Sequence, residues 1–389
     1  MRKIWVLATI AILLIGCGGD ELTTTLALTQ IASSTTTPLA IYPTETTSAV
    51  IPKQQCVSIE SEFPAGVVPK GVFVIGGSDP YLLNFQTQQK YPLLAVSASN
   101  SSLSGIDVSP DRKRIAYVEE MWDEVGNLKD KQLLIMTANG ELEKVLHWED
   151  NYGPGWRWLN NEFLDIVKTG ATKGTKILLD PLSGKQQELA PPVSDIYLQD
   201  SFRDFPIIIY DPTLTRVIYL RNGSVFTLWD IPSGRVLWQS FSSDPSIRPQ
   251  WSSDGNWVVL AIPKNEVKHF EVISVSRDGQ ETQLTNLASA YPIAFIGNFS
   301  LSPDVRYIAF WLDGRQSEDE EGQERLLVID IIQKQVTDYC VLGNVFGTPS
   351  PIWSPDGTQL IVESQPNPHD PSTSYSILLD IIQNFAVQL

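Results

Sequence analysis

Short apolar runs alternate with tight polar turns along most of this chain, and one such unit recurs four times. Each copy has an apolar residue, then Ser, then Pro or Ser, then Asp, and a second apolar run follows within a few residues. The copies are Val108-Ser109-Pro110-Asp111, Trp251-Ser252-Ser253-Asp254, Leu301-Ser302-Pro303-Asp304 and Trp353-Ser354-Pro355-Asp356. The last three begin about fifty residues apart. A period of that length is typical of an array of supersecondary units.

The polar part of the unit has the composition of a type I turn. Proline presets φ at the second position, aspartate bonds the local backbone, and glycine is favoured at the end. We therefore assign a structural turn role, rather than metal binding, to the four aspartates Asp111, Asp254, Asp304 and Asp356. Each copy is predicted to be a tight hairpin between two short strands. Degenerate copies at 158–167 and 210–220 bring the number of hairpins to six.

A second pair of apolar runs follows the hairpins. Residues 132–136 and 142–146 are joined through Asn139-Gly140, and residues 225–230 and 235–238 through Ser233-Gly234. Both dipeptides are strong hairpin signals, and four antiparallel strands repeated radially make a β-propeller. Because residues 72–95 hold three more apolar runs, we predict an all-β propeller with seven four-stranded blades. Six blades is the alternative, if these N-terminal runs cover an edge instead.

The repeated phrase resembles a known family of propellers. Trp or Leu, then Ser-Pro-Asp-Gly and an apolar strand, resembles the TolB-like propeller repeat, and Leu228-Trp229-Asp230 is similar to the WD-repeat signature. The resemblance covers about residues 100–389. It implies a propeller and little about activity, because such folds serve as binding platforms, peptidase gates and enzyme scaffolds. It also implies one alternative function, an accessory subunit of an envelope or transport complex.

The N-terminus resembles the export signal of a bacterial lipoprotein. A basic start precedes an apolar run, Ile4 to Leu14, that is too short to span a bilayer. The run ends in Leu14-Ile15-Gly16-Cys17, which resembles a lipobox. We predict a signal peptide at 1–16, a lipidated Cys17 carrying acyl chains such as palmitate, and a location in the bacterial cell envelope, outside the cytoplasm. An ordinary signal peptide or a weak anchor is the alternative.

The segment after Cys17 is rich in threonine and proline. Such a composition cannot bury a core, so residues 17–55 are predicted to be a disordered tether, followed by a propeller domain at 56–389. Two cysteines remain beyond the tether, Cys56 and Cys340. In an exported protein this pair predicts a disulfide, with two unpaired buried thiols as the alternative.

The formal net charge is −17. An acidic surface argues against nucleic acid as a partner and favours solubility outside the cell or cationic partners. We expect a monomer.

No familiar catalytic or metal-binding spacing occurs. His147, His269 and His369 lie in different repeats, and no Gly-x-Ser-x-Gly nucleophile elbow is present. The acidic stretches 119–124 and 318–321 lack the spacing of a calcium loop. We therefore predict no cofactor, no metal and no catalytic residue.

Four aromatic residues and one acid in one sector supply the candidate ligand site: Trp122, Trp148, Tyr152 and Trp156, with Asp150. Aromatic faces beside acids and amides can hold a sugar or a peptide, whereas the alternative is that Trp156 and Trp158 belong to the blade core. The favoured function is a non-enzymatic, membrane-tethered platform that binds a protein, peptide or glycan. A propeller enzyme of the glycoside hydrolase or lyase type, using carboxylates at the mouth of the propeller, is a further alternative.

Overall fold

A computed structural model describes fourteen stretches of the chain: 51–64, 72–75, 81–84, 89–93, 100–150, 152–153, 156–168, 175–189, 207–221, 224–241, 248–264, 268–344, 348–367 and 370–389. The predicted signal peptide, Cys17, nearly all of the predicted tether and His369 lie outside these residues. Within them, no helix is long and apolar enough to cross a bilayer.

Almost all of the described secondary structure is β. Two short strands, β1 and β2, and a three-stranded antiparallel sheet, β3–β5, precede six four-stranded antiparallel sheets, which we call blades 1 to 6. The early strands are β1 Lys53–Gln54, β2 Ile59–Glu60, β3 Val72–Ile75, β4 Tyr81–Asn84 and β5 Gln89–Pro92. Blade 1 has β6 Ser101–Val108, β7 Arg114–Trp122, β8 Leu128–Thr137 and β9 Leu142–His147. Blade 2 has β10 Arg157–Trp158, β11 Leu164–Lys168, β12 Thr175–Leu179 and β13 Gln186–Leu189. Blade 3 has β14 Ile208–Tyr210, β15 Arg216–Arg221, β16 Val225–Asp230 and β17 Arg235–Phe241.

The remaining blades follow the same order. Blade 4 has β18 Gln250–Trp251, β19 Trp257–Pro263, β20 Phe270–Ser276 and β21 Glu281–Gln283. Blade 5 has β22 Ile293–Leu301, β23 Tyr307–Arg315, β24 Arg325–Asp330 and β25 Gln335–Leu342. Blade 6 has β26 Ile352–Trp353, β27 Gln359–Ser364, β28 Tyr375–Asp380 and β29 Phe385–Gln388. Two 3₁₀ turns lie at Leu287–Ser289 and Pro371–Thr373.

This topology confirms the all-β propeller and corrects the blade count. The described residues form six four-stranded blades, so the prediction of seven is wrong. Residues 72–92 supply three described strands, one fewer than a blade has. This sheet fills the space between the last blade and the first. Leu82 packs in a cluster with Ile115 of blade 1, and Leu83 packs against Leu378 of blade 6.

The first strands of the blades contact one another, which places them around a central axis. Trp158 donates its indole N–H to the carbonyl of Asp107 at 3.3 Å. Trp251 donates to the carbonyl of Ile209 at 3.1 Å, and Trp353 donates to that of Ser300 at 3.2 Å. The tryptophan that opens the repeated unit therefore joins each of these first strands to the first strand of the preceding blade.

Every turn from the first to the second strand of a blade has five residues: 109–113, 159–163, 211–215, 252–256, 302–306 and 354–358. In the turn of blade 5, Ser302 is buried, its hydroxyl accepts the Tyr307 N–H at 2.8 Å, and it donates to Asp304 at 2.5 Å. The same two bonds form at Ser109, Ser252 and Ser354, with Asp111, Asp254 and Asp356 as the carboxylates. A hydroxyl between a carboxylate and a backbone N–H explains why both residue types recur together.

Neighbouring turns touch and so share one face of the propeller, which we call the turn face. The Asp111 N–H donates to the Asn161 side chain at 2.9 Å, and the Asn160 amide donates to the Pro212 carbonyl at 3.2 Å. Because strands within a blade are antiparallel, the connections from second to third strand and from blade to blade leave at the opposite edge. We call that edge the loop face.

The apolar core lies between blades rather than at the axis. Separate clusters of buried side chains fill the interfaces between consecutive blades. The second and third strands are buried on both faces, as in Leu326–Ile329 of blade 5. This is why their sequences read as continuous apolar runs instead of alternating with polar residues.

The N-terminal strands cover two outer edges of the propeller. β1 pairs in parallel with β25, opposite Thr337 and Asp338, and β2 pairs in parallel with β29. Lys53 and Gln54 therefore belong to the folded domain, although the sequence placed them in the tether. Cys56 follows β1 and is bonded to Cys340 of β25, with Cα atoms 4.8 Å apart. Cys340 lies at a bulge in β25 with a φ of 59°.

Candidate ligand-binding face

The two faces of the propeller differ in how much their connections vary. On the turn face, the first connection of every blade has five residues. On the loop face, the connections from second to third strand include 222–224 in blade 3 and 365–374 in blade 6, and the link between blades 2 and 3 is 190–207. Binding residues concentrate on variable loops held by a rigid scaffold. The loop face is therefore the candidate binding surface.

The structure separates the five residues of the predicted aromatic site into two groups. Trp148 and Tyr152 are 3% and 7% exposed, and their rings meet edge to face with centroids 4.9 Å apart. Trp156 packs on Trp148 at 5.8 Å. Trp148 and Tyr152 belong to the core between blades 1 and 2, and Trp156 packs against that core while staying partly exposed. The first two rings therefore hold the blades together and are closed to a ligand.

Glu149, which is partly exposed, organises the same loop. Its carboxylate accepts bonds from Lys168 Nζ at 2.6 Å, from the Tyr152 hydroxyl at 3.0 Å and from the Gln186 amide at 3.3 Å. The bond from Lys168 is the main reason that the pKa of Glu149 lies below its usual range. Burial, with the bond to Glu149, raises the pKa of Tyr152. This network is structural.

Two predicted residues remain accessible on the loop face. Trp122 ends β7, is 37% exposed, and donates its indole N–H to Ser102 at 3.2 Å. Asp150 is exposed in the connection from blade 1 to blade 2. Of the predicted aromatic site, these two side chains are exposed and Trp156 is partly exposed, whereas Trp148 and Tyr152 are buried.

The acidic side chains of 119–124 and 318–321 form ion pairs and hydrogen bonds with protein groups. In 119–124, Glu120 pairs with Lys131 at 2.6 Å, and Asp123 accepts the N–H groups of Val125 and Asn127, closing its own turn. In 318–321, Glu318 pairs with Lys268. No group of three or more potential ligands is placed to hold a metal ion in the described part of the chain. His147 contacts Asp130 at 3.3 Å on the surface.

Glu324 and Asp313 are two buried carboxylates that lie close enough for their charges to interact, as paired acids do in some active sites. Burial raises the pKa of Glu324, and the charge of Asp313 adds to the effect. However, Glu324 is 6% exposed and accepts the Thr348 N–H at 3.3 Å, while Asp313 is 4% exposed and pairs with Arg315 at 2.5 Å. Both carboxylates are held inside the blade and are closed to a substrate.

A group of charged side chains near the axis was missed by sequence reasoning. Arg157 starts β10 and Lys176 lies near the start of β12, and both are beside Asp165 of β11, which is 0% exposed. Lys176 Nζ lies 2.8 Å from each oxygen of Asp165, and Arg157 Nε lies 3.9 Å from one of them. Arg248, just before β18 of blade 4, completes the group.

Burial dominates the electrostatics of this group. It lowers the pKa of both the Arg157 guanidinium and the Lys176 ammonium, although Asp165 opposes the change. The positive charge of Arg248 lowers the pKa of both groups further. Arg248 itself is exposed.

A further cation, Arg112, is partly buried and interacts with Asp107 near this group. Asp107 of β6 accepts the Trp158 N–H at 2.7 Å, and burial raises its pKa. Burial lowers the pKa of Arg112, with Asp107 as the opposing charge. Arg112 Nε is buried and has no hydrogen-bond partner. One feature of the sequence could have pointed to these cations. Arg157 and Arg248 are basic residues of an acidic chain, and each lies shortly before a turn unit.

Comparisons with known proteins find similarity in structure only. No protein-family model matches the sequence, and no curated protein matches it. Among solved structures, the chain is similar to TolB from Acinetobacter baumannii, at 14% identity and a TM-score of 0.45, over 81% of this chain and 77% of that one. It is also similar to the β-propeller domain of Cps50 (Swd1) from Myceliophteria thermophila, at 8% identity and a TM-score of 0.48, over 83% and 95%. A third similar structure is the β-propeller domain of the Trilobed protease from Pyrococcus furiosus, at 12% identity and a TM-score of 0.46, over 73% and 82%.

Proposed function

We propose that this chain is an exported, lipid-anchored binding protein whose propeller presents its loop face to a protein, peptide or glycan, without catalysing a reaction. One observation carries the proposal: five-residue turns are constant on one face, while connections of very different length leave the other. A constant face suits a scaffold, and variable loops on a rigid scaffold suit recognition. The bacterial cell envelope is the proposed location, supported by the apolar run and the lipobox-like residues that end at Cys17.

The anchor is tested by metabolic labelling. We expect the full chain, expressed in a bacterium, to incorporate labelled fatty acid and to fractionate with membranes. Cys17→Ser should incorporate no label, because Cys17 would be the attachment site, while Cys56→Ser should keep it. A wild-type chain that takes up no label would refute the lipid anchor and leave the propeller assignment intact.

The binding face is tested with a screen of glycans, peptides and envelope proteins. For a ligand found in this way, Trp122→Ala should weaken binding by about tenfold or more, the loss usual when a central aromatic anchor is truncated. Ile332→Ala is the matched control, because Ile332 is 74% exposed in a turn on the turn face. Calorimetry gives the affinities, and circular dichroism checks that both variants fold.

Other outcomes of the screen separate the alternatives. Equal loss of binding in both variants would contradict the loop-face assignment. Turnover of a glycoside, ester or peptide, lost when a carboxylate at the propeller mouth is replaced, would favour an enzyme. A stable complex with one envelope protein would favour an accessory subunit.

A further inference from the structure

We propose that the turn face docks on the surface of the phospholipid bilayer that holds the anchor, through four exposed aliphatic side chains: Leu182, Ile231, Ile332 and Ile382. The inference rests on the proposed lipid anchor and adds the orientation of the propeller, with the loop face directed away from the bilayer. It is carried by a repeated turn, by the exposure of its apolar residues and by the face at which the N-terminal chain joins the propeller.

The four side chains belong to turns that connect the third strand of a blade to the fourth, which we call outer turns. Because the strands are antiparallel, these turns leave at the same edge as the first-to-second turns and so lie on the turn face. In blades 2, 3, 5 and 6 an aspartate opens the outer turn, and the next two residues are apolar. The copies are Asp180-Pro181-Leu182, Asp230-Ile231-Pro232, Asp330-Ile331-Ile332 and Asp380-Ile381-Ile382.

The bonds of this repeat direct the acid inward and leave the apolar apex outside. Asp330 accepts the N–H groups of Ile332 at 3.0 Å and of Gln333 at 2.9 Å, and it pairs with Arg306 at 2.9 Å. The other three aspartates likewise accept N–H groups of their own turns. The carboxylates are therefore used within the protein, whereas Ile332 is 74% exposed.

The apolar residues of the other copies are exposed as well: 57% for Ile382, 41% for Leu182 and 37% for Ile231. Single exposed apolar residues are common, but this repeat gives one face four of them. An exposed basic residue follows in three copies: Lys185, Arg235 and Lys334. Aliphatic tips beside basic side chains suit the bilayer interface, where the tips enter the acyl boundary and the cations stay at the phosphates.

The N-terminal chain enters the propeller on this same face. β25 begins after the outer turn 331–334 and runs toward the loop face, and β1 pairs with it in parallel. Ile51, two residues before β1, therefore lies toward the turn face, and it is 55% exposed. The loop face also has exposed apolar side chains, such as Val125, so apolar exposure alone does not choose between the faces. The entry of the chain does.

The length of chain before this entry keeps the turn face near the anchor. About 34 residues separate Cys17 from Ile51, and a flexible chain of that length spans about 30–35 Å. A compact domain of about 330 residues has a radius of gyration of about 20 Å. Bringing the loop face to the bilayer would stretch the chain along the side of the domain at a cost in entropy, whereas docking by the turn face leaves it relaxed.

Charge decides which lipid surface fits. The net charge is −17, and the first-to-second turns expose Asp254, Asp304 and Asp356 on the turn face, so an anionic bilayer repels it. Docking through aliphatic tips depends on apolar area instead. We therefore expect docking on zwitterionic phosphatidylcholine, with little dependence on salt.

The lipidated full chain in phosphatidylcholine vesicles tests the docking. A nitrobenzoxadiazole probe is attached at Ile332→Cys, or at the control Val125→Cys, a position 81% exposed on the loop face. Cys56 and Cys340 are bonded to each other and do not take the probe. We expect spin-labelled lipid to quench the probe at 332 about twofold or more as strongly as the probe at 125, and aqueous iodide to quench in the opposite order.

A second set of variants tests whether the apolar tips hold the face down. With the probe at Leu182→Cys, Ile332→Ser and Ile382→Ser together should remove about half or more of the quenching by lipid. Val125→Ser and Phe241→Ser together, both exposed positions on the loop face, should leave it unchanged.

The outcomes separate this inference from the proposed function. Equal quenching of the 332 and 125 probes by lipid, or quenching of neither, in a chain that carries labelled fatty acid would overturn the docking and leave the proposed anchor and binding face standing. The docking is also overturned if the serine pair does not change the quenching. A probe at 332 that is shielded from iodide but not quenched by lipid would place a second copy on the turn face instead. A chain without fatty acid would remove the proposed anchor, and this inference with it.

Discussion

Replacing Cys56 and Cys340 together with alanine is expected to lower the free energy of unfolding by about 5–6 kcal/mol, from the chain-entropy effect of so long a loop. The bond joins residues 284 positions apart. It therefore limits the conformations open to most of the propeller domain in the unfolded state. It also holds β1 on the edge of blade 5, where only two residues pair. Without the bond, we expect residues 53–60 to leave the edges of blades 5 and 6 before the blades themselves unfold.

Guanidinium chloride unfolding, followed by tryptophan fluorescence, measures this effect. Wild-type protein under reducing conditions is the internal control and should unfold like the double alanine variant. Hydrogen exchange should show faster exchange at residues 53–60 than in the blades. A double variant as stable as the oxidised wild type would contradict the prediction, as would two free thiols in denatured, unreduced protein.

Trp353→Ala is expected to lower the free energy of unfolding by about 3–5 kcal/mol, the range for removing a buried tryptophan. Trp353 is 1% exposed and stacks on Tyr307, with ring centroids 6.0 Å apart. Its indole N–H reaches the Ser300 carbonyl of the neighbouring blade at 3.2 Å. The substitution therefore leaves a cavity between blades 5 and 6 and removes a bond between their first strands.

The matched control for this variant is Trp122→Ala, because Trp122 is 37% exposed and packs at the end of a strand. We expect it to cost about 1 kcal/mol or less, as is usual for exposed positions. Chemical unfolding of both variants provides the comparison. Similar losses of stability in the two would show that the contact between blades contributes little beyond the burial of one ring.

Most of the strand order could be predicted from the sequence, because the contacts that define it are local. The hydroxyl of Ser252 bonds to Asp254 and to the N–H of Trp257, all within one turn. Even the degenerate hairpins at 158–167 and 210–220 were recognisable and are present as β10–β11 and β14–β15. The blade count failed because apolar runs at 72–95 show that strands exist but not whether a fourth one completes the sheet.

The candidate site was predicted less well, because the burial of a side chain depends on residues from other blades that pack against it. The sequence around Trp148, Tyr152 and Trp156 reads as an exposed loop, yet blades 1 and 2 bury the first two rings and partly cover the third. Likewise, the parallel pairing of β1 with β25 joins strands at opposite ends of the chain. Two-residue strands carry no periodicity, so the sequence offered no signal for it.

By itself, the sequence determined the strands, the turns and the radial repeat, since each depends on side chains within a few residues of one another. Only the tertiary structure decided which aromatic rings are covered, which edges β1 and β2 occupy, and which charges meet at the axis. Arg157 and Arg248 lie about ninety residues apart, and their spacing in the chain is unremarkable. The charge of Arg248 nevertheless lowers the pKa of Arg157, because first strands converge around the axis, and that convergence is a property of the arrangement of blades rather than of any local segment.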